Sequence, residues 1–382
     1  MNYDTQKEKD WLNKKIEYNN TWDGSQQWKT ELQDVLDKNL AAHGFKQIRV
    51  PVKLEPNACD ILFKQENARL ARLFSNIIDI FDELPYRPDV AFDLCWRSFE
   101  ILLSYIMKQK NKDTDEQNEE DSEKGKKKKK KPNTTDDLKN ISLEIADLAS
   151  SNSLIRECLD NIITAQSLSA LKYCLNYLSV LYAPDETIPD DFNLMFEPES
   201  NNIKFRFEQA LNQEKEYEPD KKAHLFDMFV KQYFNDEYYG KVNSKDYTAY
   251  QTISKAALCL RKIINGDSIK LKYTPKDAEP LEVAFDSLEM SKRIEFVLGV
   301  VLYTIRNNRF HGDNTPLFKS SASNASTYYS MYYCLIATYG MFWILLHKHL
   351  KDNSLDEFVT IDSICKSINE SLDRLKTTLN NK

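Results

Sequence analysis

Apolar positions recur along this chain at offsets of three and four far more often than at every second residue, the spacing that collects side chains on one face of an α-helix. The first such stretch, 26–43, carries Trp28, Leu32, Val35, Leu36 and Leu40 and stops at Gly44, a C-terminal capping residue. An extended piece is expected over 45–54. Helical spacing resumes over 59–84, with Ile61, Leu62, Leu70, Leu73, Phe74, Ile77 and Phe81, until Pro85 and Pro88 break the chain. A third helix opens at Asp89 and runs from Val90 to about Met107, with Trp96, Phe99, Leu102, Leu103 and Ile106 forming a stripe suited to a bundle core.

Further helices are predicted over 138–150, over 154–182 up to Ala183-Pro184-Asp185, and over 247–264. Between them, 184–245 is polar and aromatic-rich, with short helical pieces over 203–211 and 224–234. Residues 268–273 alternate polar and apolar and pair in prediction with 281–285 as a small β-hairpin. In the last third, Ile294, Val297, Leu298, Val301 and Ile305 share one face of a helix over 287–307. A polar loop over 308–324 separates it from a long helix over 325–350, striped by Tyr328, Met331, Tyr332, Leu335, Tyr339, Phe342 and Leu346, and 362–379 forms a closing helix. The chain therefore reads as all-α, a helical bundle with additional helices and at most a small β-hairpin. No internal repeat is present.

Composition supports helices. Only 8 glycines occur in 382 residues, where average usage of about 7% would give roughly three times as many. The net charge of −7 means that the surface as a whole does not attract a polyanion, so any nucleic-acid contact must come from a local basic site. Residues 111–135 differ in kind: an acidic block from Asp113 to Glu123 precedes the lysine run Lys126 to Lys131 and Pro132. With nothing apolar to bury, this stretch is expected to be a disordered charged loop. The lysine run could hold RNA phosphates, but a solvated loop offset by its acidic neighbour is the simpler reading.

Cys59, Cys95, Cys158, Cys174, Cys259, Cys334 and Cys365 stand singly with no CxxC pair, as expected of buried thiols in a reducing compartment. The N-terminus has no apolar core of a secretory signal, and the apolar stretch from Leu335 to Leu346 is short of the roughly 20 residues a bilayer span needs. A cytoplasmic protein without a membrane partner is the expectation.

One segment concentrates chemistry. Arg306-Asn307-Asn308-Arg309-Phe310-His311-Gly312 places two arginines, two asparagines and a histidine at the end of an apolar helix. Arg306 is expected on the last turn, where a cation also meets the helix dipole favourably, with His311 held near it by a bend at Gly312. A guanidinium offers planar, permanent positive charge to phosphate oxygens, and an imidazole can move protons near neutral pH. Such a pair suits RNA cleavage in which the ribose 2′-OH attacks the adjacent phosphorus, a reaction that needs no external nucleophile. Asn307 would orient the phosphate or fix Arg306, and Asn308 and Arg309 would contact the substrate.

Arg306 to His311 resembles the R-x4-H form of the active-site motif of the HEPN superfamily of ribonucleases, with the polar residue that family favours, Asn307, directly after the arginine. The upstream stretch Leu84-Pro85-Tyr86-Arg87-Pro88-Asp89, followed by Trp96 and Phe99, is similar to the first bundle helix of such proteins. The resemblance implies a bundle over 57–350, preceded by a helical and extended segment over 1–56, followed by a C-terminal helix over 351–382, and interrupted by the loop 111–135 and an insertion 184–285. It implies a homodimer in which two motifs face each other, a metal-independent endoribonuclease with Arg306 and His311 as catalytic residues, and no cofactor. RNA is the implied substrate, a regulatory protein or RNA the implied further partner, and a toxin or antiphage effector the implied setting. Asp313 stands where nucleotidylated relatives carry a tyrosine, which argues against control by that modification.

Plainer readings stand beside these. An arginine and a histidine five apart can form no more than a solvated helix end, and the same basic notch could serve a non-catalytic module that binds RNA, a nucleotide or a protein partner. His347 and His349 lie two apart on a helix, on different faces, and suit a helix-end charge better than a shared metal. His43 and His224 read as surface residues. Aromatic residues between Tyr217 and Tyr250 could stack on unpaired bases, though packing is the commoner use. No glycine-rich phosphate loop, HExxH, GxSxG or strand-borne carboxylate pair is present.

Overall fold

The computed structural model describes residues 45, 48, 50–53, 73, 76–119, 134–182, 202–218, 221–243, 248–274, 279–310, 325–351 and 359–380, without the side chains of 111–119, 134–136, 243, 308–310, 325, 350–351 and 379–380. The predicted helix over 26–43, the lysine run and His311 lie outside these residues.

Helix α1 (Pro88–Glu119) starts with proline at its first position, where the missing N–H has no partner to lose. Asp89 follows, fully buried and held by Arg87 through Nε–Oδ1 and Nη2–Oδ2 bonds of 2.9 Å each. The helix runs well past the expected end near Met107, into the segment expected to be disordered. The lysines, glutamines and glutamates there are good helix formers, and no glycine or proline intervenes before Gly125, so the helix continues past the apolar stripe. Upstream, the helix expected to reach residue 84 gives way to turns over 80–86.

The single helix predicted over 154–182 is two. After α2 (Thr134–Ser151) come α3 (Ser153–Thr164) and α4 (Leu168–Val180). Asn152 caps α3, its Oδ1 accepting from Leu154 N at 2.9 Å and Ile155 N at 3.3 Å. Ser167 caps α4, accepting from Ala170 N at 3.3 Å. Side-chain oxygens that satisfy backbone N–H groups in this way compete with the helix, so the break needs neither glycine nor proline.

Helix α5 (202–210) is followed by a polar hairpin, β1 (Glu214–Glu218) with β2 (Lys221–His224), then α6 (Leu225–Tyr233), α7 (Asp236–Asn243) and α8 (Thr248–Asn265). The anticipated hairpin, β3 (Ile269–Tyr273) with β4 (Leu281–Phe285), is antiparallel with Ile269 opposite Phe285. There are thus two small hairpins among the described residues. The first carries no apolar alternation to betray it and is laced by Lys222–Glu214 at 3.1 Å and Lys221–Glu218 at 2.6 Å.

The motif-bearing helix is continuous but mixed: α9 (Met290–Glu295), a π-helical segment Phe296–Leu302, and α10 (Tyr303–Phe310). All seven residues of the π segment are buried, and Tyr303 N donates to Leu298 O five positions back. The segment is hidden on every side, where the spacing alone suggested one apolar face. Helix α11 (Ala325–Lys351) forms the centre of the fold, packing on α1, α2, α3, α4, the π segment and the closing helix α12 (Ile361–Asn380). Its stretch Ser326–His349 is long and apolar enough to cross a membrane by length and composition, longer than the apolar run from Leu335 to Leu346. Here its residues from Tyr328 to Leu346 are all buried within the protein.

Tyrosine hydroxyls settle the polar edges of this core. Tyr332 Oη donates to Pro85 O (3.2 Å), Tyr329 Oη to Ala165 O (3.0 Å), and Val52 N donates to Tyr339 Oη (3.1 Å). The last of these fastens the extended piece near residue 50, which α12 also grips: Val50 N donates to Ser371 Oγ at 2.9 Å and Ser367 Oγ to Val50 O at 2.6 Å. Cys95, Cys158, Cys174, Cys334 and Cys365 are buried free thiols as expected, Cys259 is only half-buried, and Cys59 lies outside the described residues.

Glu144 joins three helices. Only 6% exposed, it receives Lys110 from α1 at 2.5 Å and, from α11, Lys348 at 3.0 Å and His349. His349 thus serves a packing ion cluster. Burial pushes the Glu144 carboxyl upward, but the bonds from His349, Lys110 and Lys348 outweigh it and hold the group well below the usual carboxylate range.

Two outcomes follow. The contribution of Glu144 is complete above about pH 4.5, its ordinary value, and is lost as pH falls through the lowered folded one. Glu144→Gln should therefore lower stability at neutral pH by about 1–3 kcal/mol and flatten its dependence on pH below that point, read by urea unfolding across a pH series. Gly340 on α11 admits close approach: an added Cβ would meet Ile162 Cδ1 at 2.9 Å and Ile368 at 3.4 Å. Gly340→Val should cost about 1–3 kcal/mol by overpacking, seen as a lower unfolding midpoint.

Candidate functional site

Arg306 lies on α10 one turn before its last residue, since the helix continues beyond the expected end at Asn307 to Phe310. Its direction is set from two sides. Asn307, only 7% exposed, accepts a hydrogen bond on Oδ1 from Arg306 Nη1 at 3.0 Å. Glu100 on α1 accepts a hydrogen bond on Oε2 from Arg306 Nη2 at 3.2 Å, and the same nitrogen lies 2.9 Å from Oε1 as an ion pair. Glu100 is itself anchored by its neighbour one turn back, Trp96, whose Nε1–H donates to Oε1 at 2.9 Å. Trp96 is completely buried among Phe92, Phe99 and Tyr303. The packed indole fixes the carboxylate, and the carboxylate fixes the guanidinium.

The pair sits at the edge of the core. Arg306 is 21% exposed and Glu100 33%, open enough for a ligand to reach yet withdrawn enough that the geometry is held by packing. A planar guanidinium restrained at both nitrogen ends can present positive charge in a fixed direction, which suits a phosphate oxygen or a developing oxyanion.

A second arginine also reaches α10. Arg206 on α5, 3% exposed, donates from Nη1 to Thr304 Oγ1 at 3.2 Å and from Nε to Asn202 O at 3.1 Å. Its guanidinium carbon lies 4.6 Å from the centre of the Tyr303 ring. Cys174 on α4 donates to Val300 O of the π segment at 3.7 Å. Burial pushes that thiol up to about 12 despite the nearby Arg206, so it remains protonated and is not a nucleophile at neutral pH.

Of the residues singled out from the sequence, Arg306 and Asn307 are brought together, and Asn307 takes the arginine-fixing option of the two expected for it. Asn308 and Arg309 continue α10, and their side chains, like all of His311, lie outside the described residues. Sequence reasoning passed over Glu100, Trp96 as its anchor, Tyr303 and Arg206. The signals were present: Glu100 is a carboxylate four residues after Trp96 inside an apolar stripe, and Arg206 a charge between Phe205 and Phe207. Among the described aromatic residues between 217 and 250, Phe226, Phe229, Phe234, Tyr238 and Tyr239 are buried, while Tyr217 and Tyr250 are exposed. Among the described residues, no group of three His, Cys, Asp or Glu side chains is arranged to hold a metal ion.

No protein-family model, no curated protein and no solved structure matches this chain.

The Arg306 clamp has a measurable consequence. Arg306→Lys keeps the charge but has no fork to span Glu100 and Asn307. It should lower unfolding stability by about 1 kcal/mol, a partly exposed ion pair being worth little more. A denaturation midpoint equal to that of the parent protein would show that the clamp contributes nothing to the fold.

Proposed function

We propose that this protein is a metal-independent endoribonuclease that cleaves RNA through attack of the ribose 2′-OH on the adjacent phosphorus. The observation that carries the reading is the clamp on Arg306: a partly exposed guanidinium aimed by Glu100 and Asn307, in a sequence that reaches His311 five residues later. In this reaction Arg306 offsets the charge that grows on the phosphorane, and His311 removes the 2′-OH proton or protonates the leaving 5′-oxygen. Asn307 keeps the guanidinium in register, while Asn308 and Arg309 hold the flanking backbone of the substrate. Glu100 prevents the cation from turning away in the absence of RNA.

One chain supplies one Arg306 and one His311. Two copies of the chain meeting at their motifs would give the second pair that a composite site requires, and a homodimer is part of the proposal. A toxin or antiphage role in the cytoplasm rests on the resemblance of the R-x4-H motif alone.

A second reading has one observation in its favour. Glu100 already takes up charge from Arg306 at 2.9 Å, as would suit a non-catalytic module in which the notch opens to bind RNA, a nucleotide or an acidic segment of a partner.

One assay separates the two. The full chain incubated with mixed-sequence RNA in EDTA should give fragments ending in 2′,3′-cyclic phosphate. Arg306→Ala and His311→Ala should each slow cleavage by about 10²-fold to 10⁴-fold with unchanged circular dichroism. Cleavage that requires added metal, or full activity in both variants, would overturn the enzymatic reading. RNA binding that weakens in Arg306→Ala without any turnover in the parent protein would establish the binding module.

A further inference from the structure

We infer that Arg206, from the segment between α4 and the motif-bearing helix, is a positioning residue for Arg306, acting through Tyr303, Trp96 and Glu100. The functional weight of this inference rests on the endoribonuclease reading; the geometry behind it does not.

The contacts form one continuous path around α10. Arg206 bonds Thr304 Oγ1 at 3.2 Å and covers the Tyr303 ring at 4.6 Å. The Tyr303 ring packs on the Trp96 indole with centroids 6.1 Å apart. Trp96 Nε1 donates to Glu100 at 2.9 Å, and Glu100 accepts from Arg306 at 3.2 Å within an ion pair of 2.9 Å. Tyr303 lies three residues before Arg306 and four before Asn307, on the same helical face. Two elements distant in sequence, α5 and α1, therefore both hold one short helix, and the tyrosine ring is the piece they share.

Burying an arginine until only 3% of the residue meets solvent is unfavourable unless its donors find partners. Apolar packing would have sufficed to fill the space. What an arginine adds is direction: the bond to Asn202 O within α5 holds the guanidinium, and its bond to the Thr304 hydroxyl and its contact with the Tyr303 ring restrict how α10 can rotate. The same helix α5 is fastened at two earlier points of the motif-bearing helix. Lys292 Nζ donates to Gln209 O at 2.8 Å, and Phe207 packs edge-on against Phe296 at 5.3 Å. The attachment thus runs from α9 through the π segment to the turn carrying the motif. Between these attachments the backbone is π-helical, with i to i−5 bonds such as Tyr303 N to Leu298 O, so α5 holds the helix both before and after the change of winding.

The test reads the path without relying on RNA cleavage. The chain has five tryptophans, and in the ¹⁵N-labelled full-length protein the Trp96 indole N–H signal is assigned by its loss in Trp96→Phe. Trp343, buried on α11, reports on the general state of the core. The Trp96 signal should shift in Arg206→Met and in Tyr303→Leu, hold its place in Tyr303→Phe, which keeps the ring, and in every case leave the Trp343 signal where it was. If Arg206→Met does not fold, Tyr303→Leu decides alone. In the cleavage assay, Arg206→Met should lower kcat by roughly tenfold to a hundredfold, the scale of a small misplacement of a reacting group, with KM within about twofold.

A Trp96 signal unmoved by Tyr303→Leu, a Trp343 signal that moves together with it, or an unchanged kcat despite a shifted Trp96 signal would each overturn the inference. If the parent protein cleaves no RNA, the proposed function fails while the indole signals still decide whether Arg206 sets the orientation of Arg306.

Discussion

A helix that is apolar around its whole circumference cannot lie on a surface, and α11 imposes that condition on everything else. From Tyr328 to Leu346 each of its residues is buried, so the remaining helices must supply a shell. α1, α12, α3 and α4 provide it, with the π segment and α2 closing the remaining side. Burying so many tyrosines would leave hydroxyls without water. Three of them instead meet the backbone at Pro85, Ala165 and Val52, so the ends of polar side chains also fix where turns and the extended strap dock.

The candidate site inherits its rigidity from this shell. α1 lies along α11, and its Trp96 is wedged against Phe92, Phe99 and Tyr303; Glu100, one turn on, has little freedom to move. Electrostatics then works at short range. A chain carrying seven net negative charges attracts no polyanion from a distance, so recognition of one would depend on a few cations held in place. Arg306 is such a cation: its ion pair limits the charge it shows to solvent, and packing fixes the direction in which it points. Arg206 performs the complementary task from within the core, contacting backbone, hydroxyl and ring.

The motif-bearing helix shows why rotation matters. A regular α-helix through 287–307 would place Ile294, Val297, Leu298, Val301 and Ile305 on one face, as their spacing suggests. The π segment hides all of Phe296–Leu302 instead. A locally widened helix shifts the angular position of every residue after it, and here it leads into the turn bearing Arg306. The contacts of α5 and α1 with Tyr303, Thr304 and Arg306 hold that turn in its observed orientation.

The sequence by itself determined the helical character of the chain, the hairpin of β3 and β4, the extents of α11 and α12 to within a residue or two, and the presence of a polar cluster beginning at Arg306. These are properties of local spacing and of residue type. It did not determine the break at Ser167, the polar hairpin of β1 and β2, the continuation of α1 to Glu119 or the π segment, because each depends on competing partners for backbone groups or on burial from several sides. Nor could it choose Glu100, Trp96, Tyr303 and Arg206 as the surroundings of Arg306. Glu100 is 206 residues away in sequence and Arg206 meets Thr304 across 98; only the packing of α1 and α5 around α10 brings such separated charges close enough for hydrogen bonds of about 3 Å to form.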